Sequence, residues 1–336
     1  MRVISQYIAT EKTAGPKAKV DIERILKKEY NAKIYTNKVT NNEEKTIKYK
    51  LKKIIFSTRF LKTKEVVVIQ IPFSNKKKIL KLAEKKIGII HDIDGLRYNN
   101  QKLLQSEVEA LNLYNVLIVH NNEMKKELAK NGVKTPMIIL EIFDYLLQAG
   151  SEFKNNYENK VSKEPIIIYP GNLEPRKSEF LYSLDEEKMN FKIFAYGSNY
   201  KENNNNKIIY KGVFSPDILP CKLEGDLGLV WSGKIDSTEE VLEKYYNRFN
   251  TPHKLSSFLV AGIPVIVWGE SAIAEVVEKY NIGYKINNLY QINDINLDDY
   301  EEKKKNAQRL SKKIIEGDFT KKAFDKALKV LSLEGK

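Results

Sequence analysis

The stretch FNTPHKLSSFLVAGIPVIVW, residues 249–268, carries the most specific chemical signal in the chain. Thr251 is a natural helix N-cap, Pro252 fits the first helical position and Gly262 fits the stop. Together they predict a helix of about three turns leading into a buried strand. The backbone N–H groups at such an N-terminus, with Lys254 in the first turn, bind a phosphate through the helix dipole and through direct charge. Lysine in a first turn is unfavourable for the helix alone, which favours an anionic ligand over a merely exposed side chain. Asn250 and Ser257 bracket the same turn.

Three further constellations end predicted strands. In PGNLEPRKS, residues 170–178, Arg176 and Lys177 are cations at a carboxyl edge, and the planar guanidinium of Arg176 suits a bidentate clamp on a diphosphate. In TEKTAGPKAK, residues 10–19, Gly15 permits close backbone approach and Pro16 opens a helix, but the GK[ST] ending of a phosphate loop is absent. In IIHDIDGLR, residues 89–97, His91 or Asp92 could take a proton from a hydroxyl. Adjacent residues of a strand point to opposite faces, so only one of the two faces a ligand easily, and Asp94 has the alternative role of capping the next turn. His91, His120 and His253 are the only histidines, with no paired spacing that would make a metal site. No metal or other cofactor is therefore expected, the cations taking a metal's place.

These residues need elements to hold them. Short β-branched runs at residues 2–8, 32–36, 65–72, 87–92, 115–120 and 135–140 alternate with amphipathic stretches at 17–29, 75–86 and 122–131, the last with Asn121 as N-cap and Gly132 as stop. After a polar linker at 151–164 the alternation restarts, with strands at 165–169, 191–196, 207–210, 227–231 and 264–268 and surface helices from about 297 to 333. The pattern predicts two doubly wound α/β domains, 1–150 and 165–336, with sheets facing a cleft and ligands at the strands' carboxyl ends.

With 336 residues, 42% hydrophobic and 30% charged, the chain needs no disulfide to build a core, and its one cysteine, Cys221, cannot form an internal one. No apolar run reaches the roughly 20 residues of a membrane helix, and the first residues lack a signal-peptide pattern, so a cytoplasmic location is expected. The net charge of +13 is concentrated: residues 38–86 hold 15 basic and 4 acidic side chains. Solvated charge and a peripheral contact with an anionic membrane are the two expected uses of this stretch. Nucleic acid is the remote reading, because aromatics are few and no recognition motif accompanies the charge.

The segments IHDIDGLR, IVHNNEM, EIFDYL, YPGNLEPRKS, LGLVWSG and FNTPHKLSSFLVAGIPVIVW, in this order, resemble bacterial GT-B glycosyltransferases of two related branches. One branch contains β-galactofuranosyltransferases of surface polysaccharide synthesis. The other contains glucosyltransferases that extend N-acetylglucosamine on serine-rich-repeat adhesins. The resemblance implies UDP contacts at Thr13, Arg176, Tyr210, Lys254 and Ser257. The TAGPKAK, HDID and EIFDYL segments look closer to the galactofuranosyl branch. The chain departs from the E-x7-E pattern of common retaining relatives, with Phe249 and Ser257 at those places.

The resulting expectation is a metal-independent transferase moving a hexosyl group from a UDP-hexose to a glycan acceptor, lipid-linked or on a glycoprotein. Galactofuranosyl transfer is preferred and glucosyl transfer is the alternative. Arg176, Lys254, Tyr210, Ser257 and Asn250 hold the donor, Thr13 and Gly15 border the cleft, and, if the reaction inverts, Asp92 leads His91 and Asp94 as the catalytic base.

Overall fold

A computed structural model describes residues 1–8, 15–39, 51, 55, 63–72, 80–148, 150, 164–236 and 242–333. The chain divides into two compact units, Met1–Phe143 with Gly317–Lys336, and Asp144–Glu316. Residues 151–163 of the expected linker lie outside the described residues, and its last residue, Glu164, pairs with Lys192 and Lys207 of unit 2. The C-terminal boundary is corrected, because the last helix belongs to the first unit.

Unit 1 is built on the strands β1 (Arg2–Ile8), β2 (Lys33–Val39), β3 (Val67–Ile71), β4 (Lys86–Ile90), β5 (Val116–Val119) and β6 (Met137–Ile139). They form one parallel sheet in the order β2-β1-β3-β4-β5-β6. Strands β3, β4 and β5 are buried along their whole length, as expected when helices cover both faces. The helices are α1 (Lys17–Tyr30), α2 (Asp94–Arg97), α3 (Gln101–Leu111) and α4 (Asn122–Lys130). Asn121 caps α4 by accepting from the Met124 N–H, as its position predicts. The helix expected to run to residue 86 stops earlier: Ala83 bridges Thr63, and Lys86 already opens β4.

Unit 2 contains β7 (Ile166–Pro170), β8 (Lys192–Tyr196), β9 (Ile208–Gly212), β10 (Leu227–Val230), β11 (Val265–Trp268) and β12 (Gly283–Ile286). Its parallel order, β12-β11-β10-β7-β8-β9, reverses direction between β7 and β10. That is the switch point beside which open α/β sheets bind ligands. Helices α5 (Phe180–Ser183), α6 (Leu242–Asn247), α7 (His253–Val260), α8 (Ile273–Tyr280) and α9 (Tyr300–Ile315) complete it.

Helix α7 lies close on the sheet because β10 carries Gly228, where a Cβ would come within 2.4 Å of the Phe258 ring. Gly262 ends the helix at φ 71°, as expected of a glycine stop. Behind α7, Ser311 of α9 donates to the Val260 carbonyl at 2.8 Å. Helix α10 (Asp318–Leu333) packs in unit 1, where its Phe324 meets Tyr30 edge-on at 4.7 Å and Asp325 accepts from the Tyr30 hydroxyl at 2.7 Å. Among the described residues no helix is long and apolar enough to cross a membrane.

Candidate functional site

The N-terminus of α7 differs from its expected form by one residue. Pro252, in an extended conformation, occupies the N-cap, His253 is the first helical residue, and Thr251 is buried one place too early to cap. A proline cap offers no side-chain acceptor to the first turn, where the Leu255 N–H donates to the Pro252 carbonyl at 3.0 Å. His253 stacks on Tyr145 at 4.6 Å and its Nε2 meets the Asp144 carbonyl at 3.2 Å, which fixes the helix start within unit 2.

Lys254 projects from this turn over the face of Tyr169, its ammonium 4.1 Å from the ring centroid. It has no carboxylate partner among the described residues. Burial pushes its pKa down to about 7. Gly171 lies beside that ammonium, at a position where a Cβ would make ordinary contact with it at 3.6 Å. A cation with no carboxylate partner among the described residues, at the positive end of a helix, is suited to an anion.

Tyr169 joins this turn to the loop after β7. Its hydroxyl bonds Ser178 Oγ at 3.0 Å, and that hydroxyl donates to the Asn172 carbonyl at 2.8 Å. Arg176 stands exposed in the same loop with no ion pair among the described residues. The neighbouring loop after β8 is equally close: a Cβ at Gly197, where φ is 143°, would lie 1.8 Å from the Gly171 carbonyl. Tyr210 then donates to the Gly197 carbonyl at 3.0 Å and stacks parallel on Tyr200 at 4.6 Å, leaving the Tyr210 ring partly exposed.

The structure thus brings Lys254 of α7, Arg176 of the loop after β7 and Tyr210 of β9 towards one region of unit 2. Ser257 is buried, and its hydroxyl proton is committed to the Lys254 carbonyl at 2.7 Å, so it can only accept from a ligand. The amide oxygen of Asn250 is buried and has no hydrogen-bond partner among the described residues, just ahead of α7. Tyr169 and Gly171 escaped the sequence reading. Their only signal was the YPGN segment beside Arg176, because their contact with Lys254 spans more than 80 residues of chain.

In unit 1, Thr13 lies outside the described residues, and Gly15 sits in an exposed turn where an added Cβ would meet no described atom. His91 Nε2 contacts Gln70 Oε1 at 2.7 Å, and its ring stacks on Phe143 at 5.4 Å. Asp92 is paired through Oδ1 with Arg97. Asp94 does not cap the following turn; it is the first residue of α2, and its N–H is held by Glu107 Oε1 at 3.0 Å while Gly95 N–H binds Oε2 at 2.8 Å. Burial raises the Glu107 pKa, partly offset by those two bonds. Lys19, from the TAGPKAK segment, is buried, and its pKa falls to about 8 through desolvation, opposed by the charges of Asp92, Glu23 and Asp94. Lys19 therefore lies near Asp92 and Asp94 of the HDID segment. His120 is buried, with Nε2 on the Ile90 carbonyl at 3.1 Å and a pKa lowered to about 4 by burial. Among the described residues no three His, Cys, Asp or Glu side chains gather as a metal site.

Solved structures of the same architecture include Anabaena Alr3699/HepE in complex with UDP, at TM-score 0.61 and 13% identity, matched over 98% of this chain and all of that one. WaaG, a glycosyltransferase of lipopolysaccharide biosynthesis, matches at TM-score 0.57 and 12% identity, over 97% of this chain and 99% of its own. At such identities they establish the fold, which is GT-B. Among curated proteins, the β-1,6-galactofuranosyltransferase WbbI of Escherichia coli K12 is 30% identical over 252 residues, 72% of this chain and 71% of its own length. Glucosyltransferase 3 of Streptococcus gordonii is 27% identical over 273 residues, 77% of this chain and 75% of its own. The protein is thus a glycosyltransferase of the GT-B type. Residues 1–142 and 167–327 match the N-terminal and C-terminal domains of the glucosyltransferase 3-like family, and the chain belongs to that family.

Proposed function

We propose that unit 2 binds a UDP-hexose and that the protein transfers its hexosyl group to a hydroxyl of a surface glycan. The observation that carries this reading is the Lys254 ammonium, unneutralised among the described residues, in the first turn of α7. The diphosphate lies against that turn and Lys254, with Arg176 closing on it from the β7 loop. As the sugar departs, negative charge grows on the diphosphate, and preorganised cations and helix N–H groups stabilise it. The exposed face of Tyr210 takes the nucleoside, and Ser257 and Asn250 offer acceptors to ribose hydroxyls. No metal is needed in this scheme.

Unit 1 serves the acceptor, with Thr13 and Gly15 beside it. A carboxylate that takes a proton gives up its guanidinium partner, so the Arg97 pairing of Asp92 moves the role of base from Asp92 to His91. Galactofuranosyl transfer onto a polysaccharide unit is the preferred activity, supported by the 30% identity to WbbI, and glucosyl transfer onto a glycoprotein is the second. The test is UDP release from a panel of UDP-sugars, with UDP-galactofuranose and UDP-glucose compared on lipid-linked and N-acetylglucosaminyl acceptors. Turnover with UDP-galactofuranose alone supports the first reading, turnover with UDP-glucose alone overturns it, and turnover with neither overturns both.

A further inference from the structure

A row of polar side chains crosses the sheet of unit 1 near its carboxyl edge. Ile4 is aligned with Ile69, so Ser5 of β1 and Gln70 of β3 follow side by side on one face. Gln70 is aligned with Ile89, and His91, two residues further, shares that face. Ser5 and Gln70 are fully buried, which makes their hydrogen bonds obligatory.

Those bonds determine a tautomer. Gln70 Nε2 lies 3.0 Å from the Lys19 carbonyl, which can only accept, so this end of the amide must be the NH2 group. Its other hydrogen goes to Ser5 Oγ at 2.6 Å. The atom facing His91 Nε2 at 2.7 Å is therefore the amide oxygen, which also only accepts, so Nε2 carries the proton. A neutral imidazole has one N–H, and Nδ1 is then the acceptor nitrogen.

We propose that Gln70 is a positioning residue that locks His91 in its Nε2-protonated tautomer, so that Nδ1 takes the proton from the acceptor hydroxyl. The proposal rests on the reading that unit 1 serves the acceptor and His91 is its base. In the transfer, the acceptor O–H bond breaks and its oxygen bonds the anomeric carbon. The carbon–phosphate oxygen bond breaks with its electron pair leaving on UDP, and the proton passes to Nδ1. The imidazolium formed keeps its Nε2–H on Gln70, while stacking on Phe143 holds the ring plane. Among the described residues, the charged groups of the surrounding elements are Asp92 with its partner Arg97, Asp94, Glu107, and Lys19 and Glu23 of α1. The partner at Nε2 is a neutral amide, so the direction of one hydrogen bond selects the tautomer.

Long-range nitrogen–proton correlation spectra of the full chain, labelled with 15N-histidine and free of donor, test this directly. The His91 signal is the one lost in His91→Asn. The expected wild-type pattern is Nε2-protonated, retained in Ser5→Ala because the Lys19 carbonyl still orients the amide. In Gln70→Met the lock is gone and the Nδ1-protonated form appears beside the Nε2-protonated one. With it kcat falls, by up to about 100-fold, the lower edge of the range for general-base catalysis, at unchanged KM for the donor. An Nδ1-protonated His91 in the wild type, or a Gln70→Met spectrum matching the wild type, overturns the proposal. If Gln70→Met does not fold, the wild-type spectrum alone decides. Failure of UDP binding leaves this spectrum unchanged and overturns only the donor-site reading.

Discussion

Lys254 is unusual because its environment makes its charge conditional. With its pKa pushed down to about 7 by burial, Lys254 gives up its proton more readily near pH 8 than an ordinary lysine does. A diphosphate brought against it favours the charged form, so the bound pKa is higher than the free one and binding takes up a proton between the two. The sign follows: affinity for UDP is greatest below pH 7 and falls as pH rises, by about tenfold per unit at most. The UDP phosphate is itself fully ionised above pH 7, its second ionisation lying near 6, so the slope there reports the lysine. Calorimetry in buffers of different ionisation enthalpy should show proton uptake at pH 8 that disappears in Lys254→Met. Uptake that persists in the variant would assign the proton to another group.

At the scale of elements, the site depends on α7 lying close to its sheet, and Gly228 makes that approach available. Gly228→Ala puts a methyl group within 2.4 Å of the Phe258 ring, and overpacking of this kind costs about 1–3 kcal/mol. Denaturant unfolding should show the loss of stability. UDP affinity should fall with it, because the first turn of α7 is displaced from Tyr169. The elements themselves were largely legible: β-branched runs marked eleven strands, and Asn121 marked the start of α4. The β12 segment was not, since GYKI mixes polar and apolar residues at a sheet edge, where one side needs no burial. Thr251 misled because its chemistry suits a cap, whereas chain geometry gave that place to Pro252. Lys86 read as the end of a basic helix, but it begins β4, buried, with its ammonium on the Ala83 carbonyl. Of the site, Lys254 and Arg176 were readable because cations at a carboxyl edge are local signals. Tyr169 and Gln70 act through contacts between strands that no local pattern encodes.

For the whole molecule, the basic stretch at 38–86 is the feature the donor site does not use, and we propose that it holds the protein transiently at anionic lipid. Basic side chains near such a surface contribute roughly 1 kcal/mol each. Lys76, Lys77 and Lys78 lie outside the described residues, and Lys85 is exposed. Binding to anionic but not neutral vesicles is expected, weakened by salt and abolished by exchanging these four lysines for glutamine, with UDP affinity intact. No vesicle binding at low salt would favour a glycoprotein acceptor. Chelation should leave transfer intact, whereas loss in EDTA with recovery in Mg²⁺ or Mn²⁺ would show that Arg176 and Lys254 do not neutralise the diphosphate alone. The most direct measurement is a calorimetric titration of UDP into the wild type, Arg176→Ala and Lys254→Ala at pH 6.5 without metal. The account predicts binding to the wild type and a loss of about 1.5–3 kcal/mol in each variant, the range for hydrogen bonds to charged groups, with folding unchanged. Wild-type protein that does not bind UDP, or variants that bind it equally well, would contradict it.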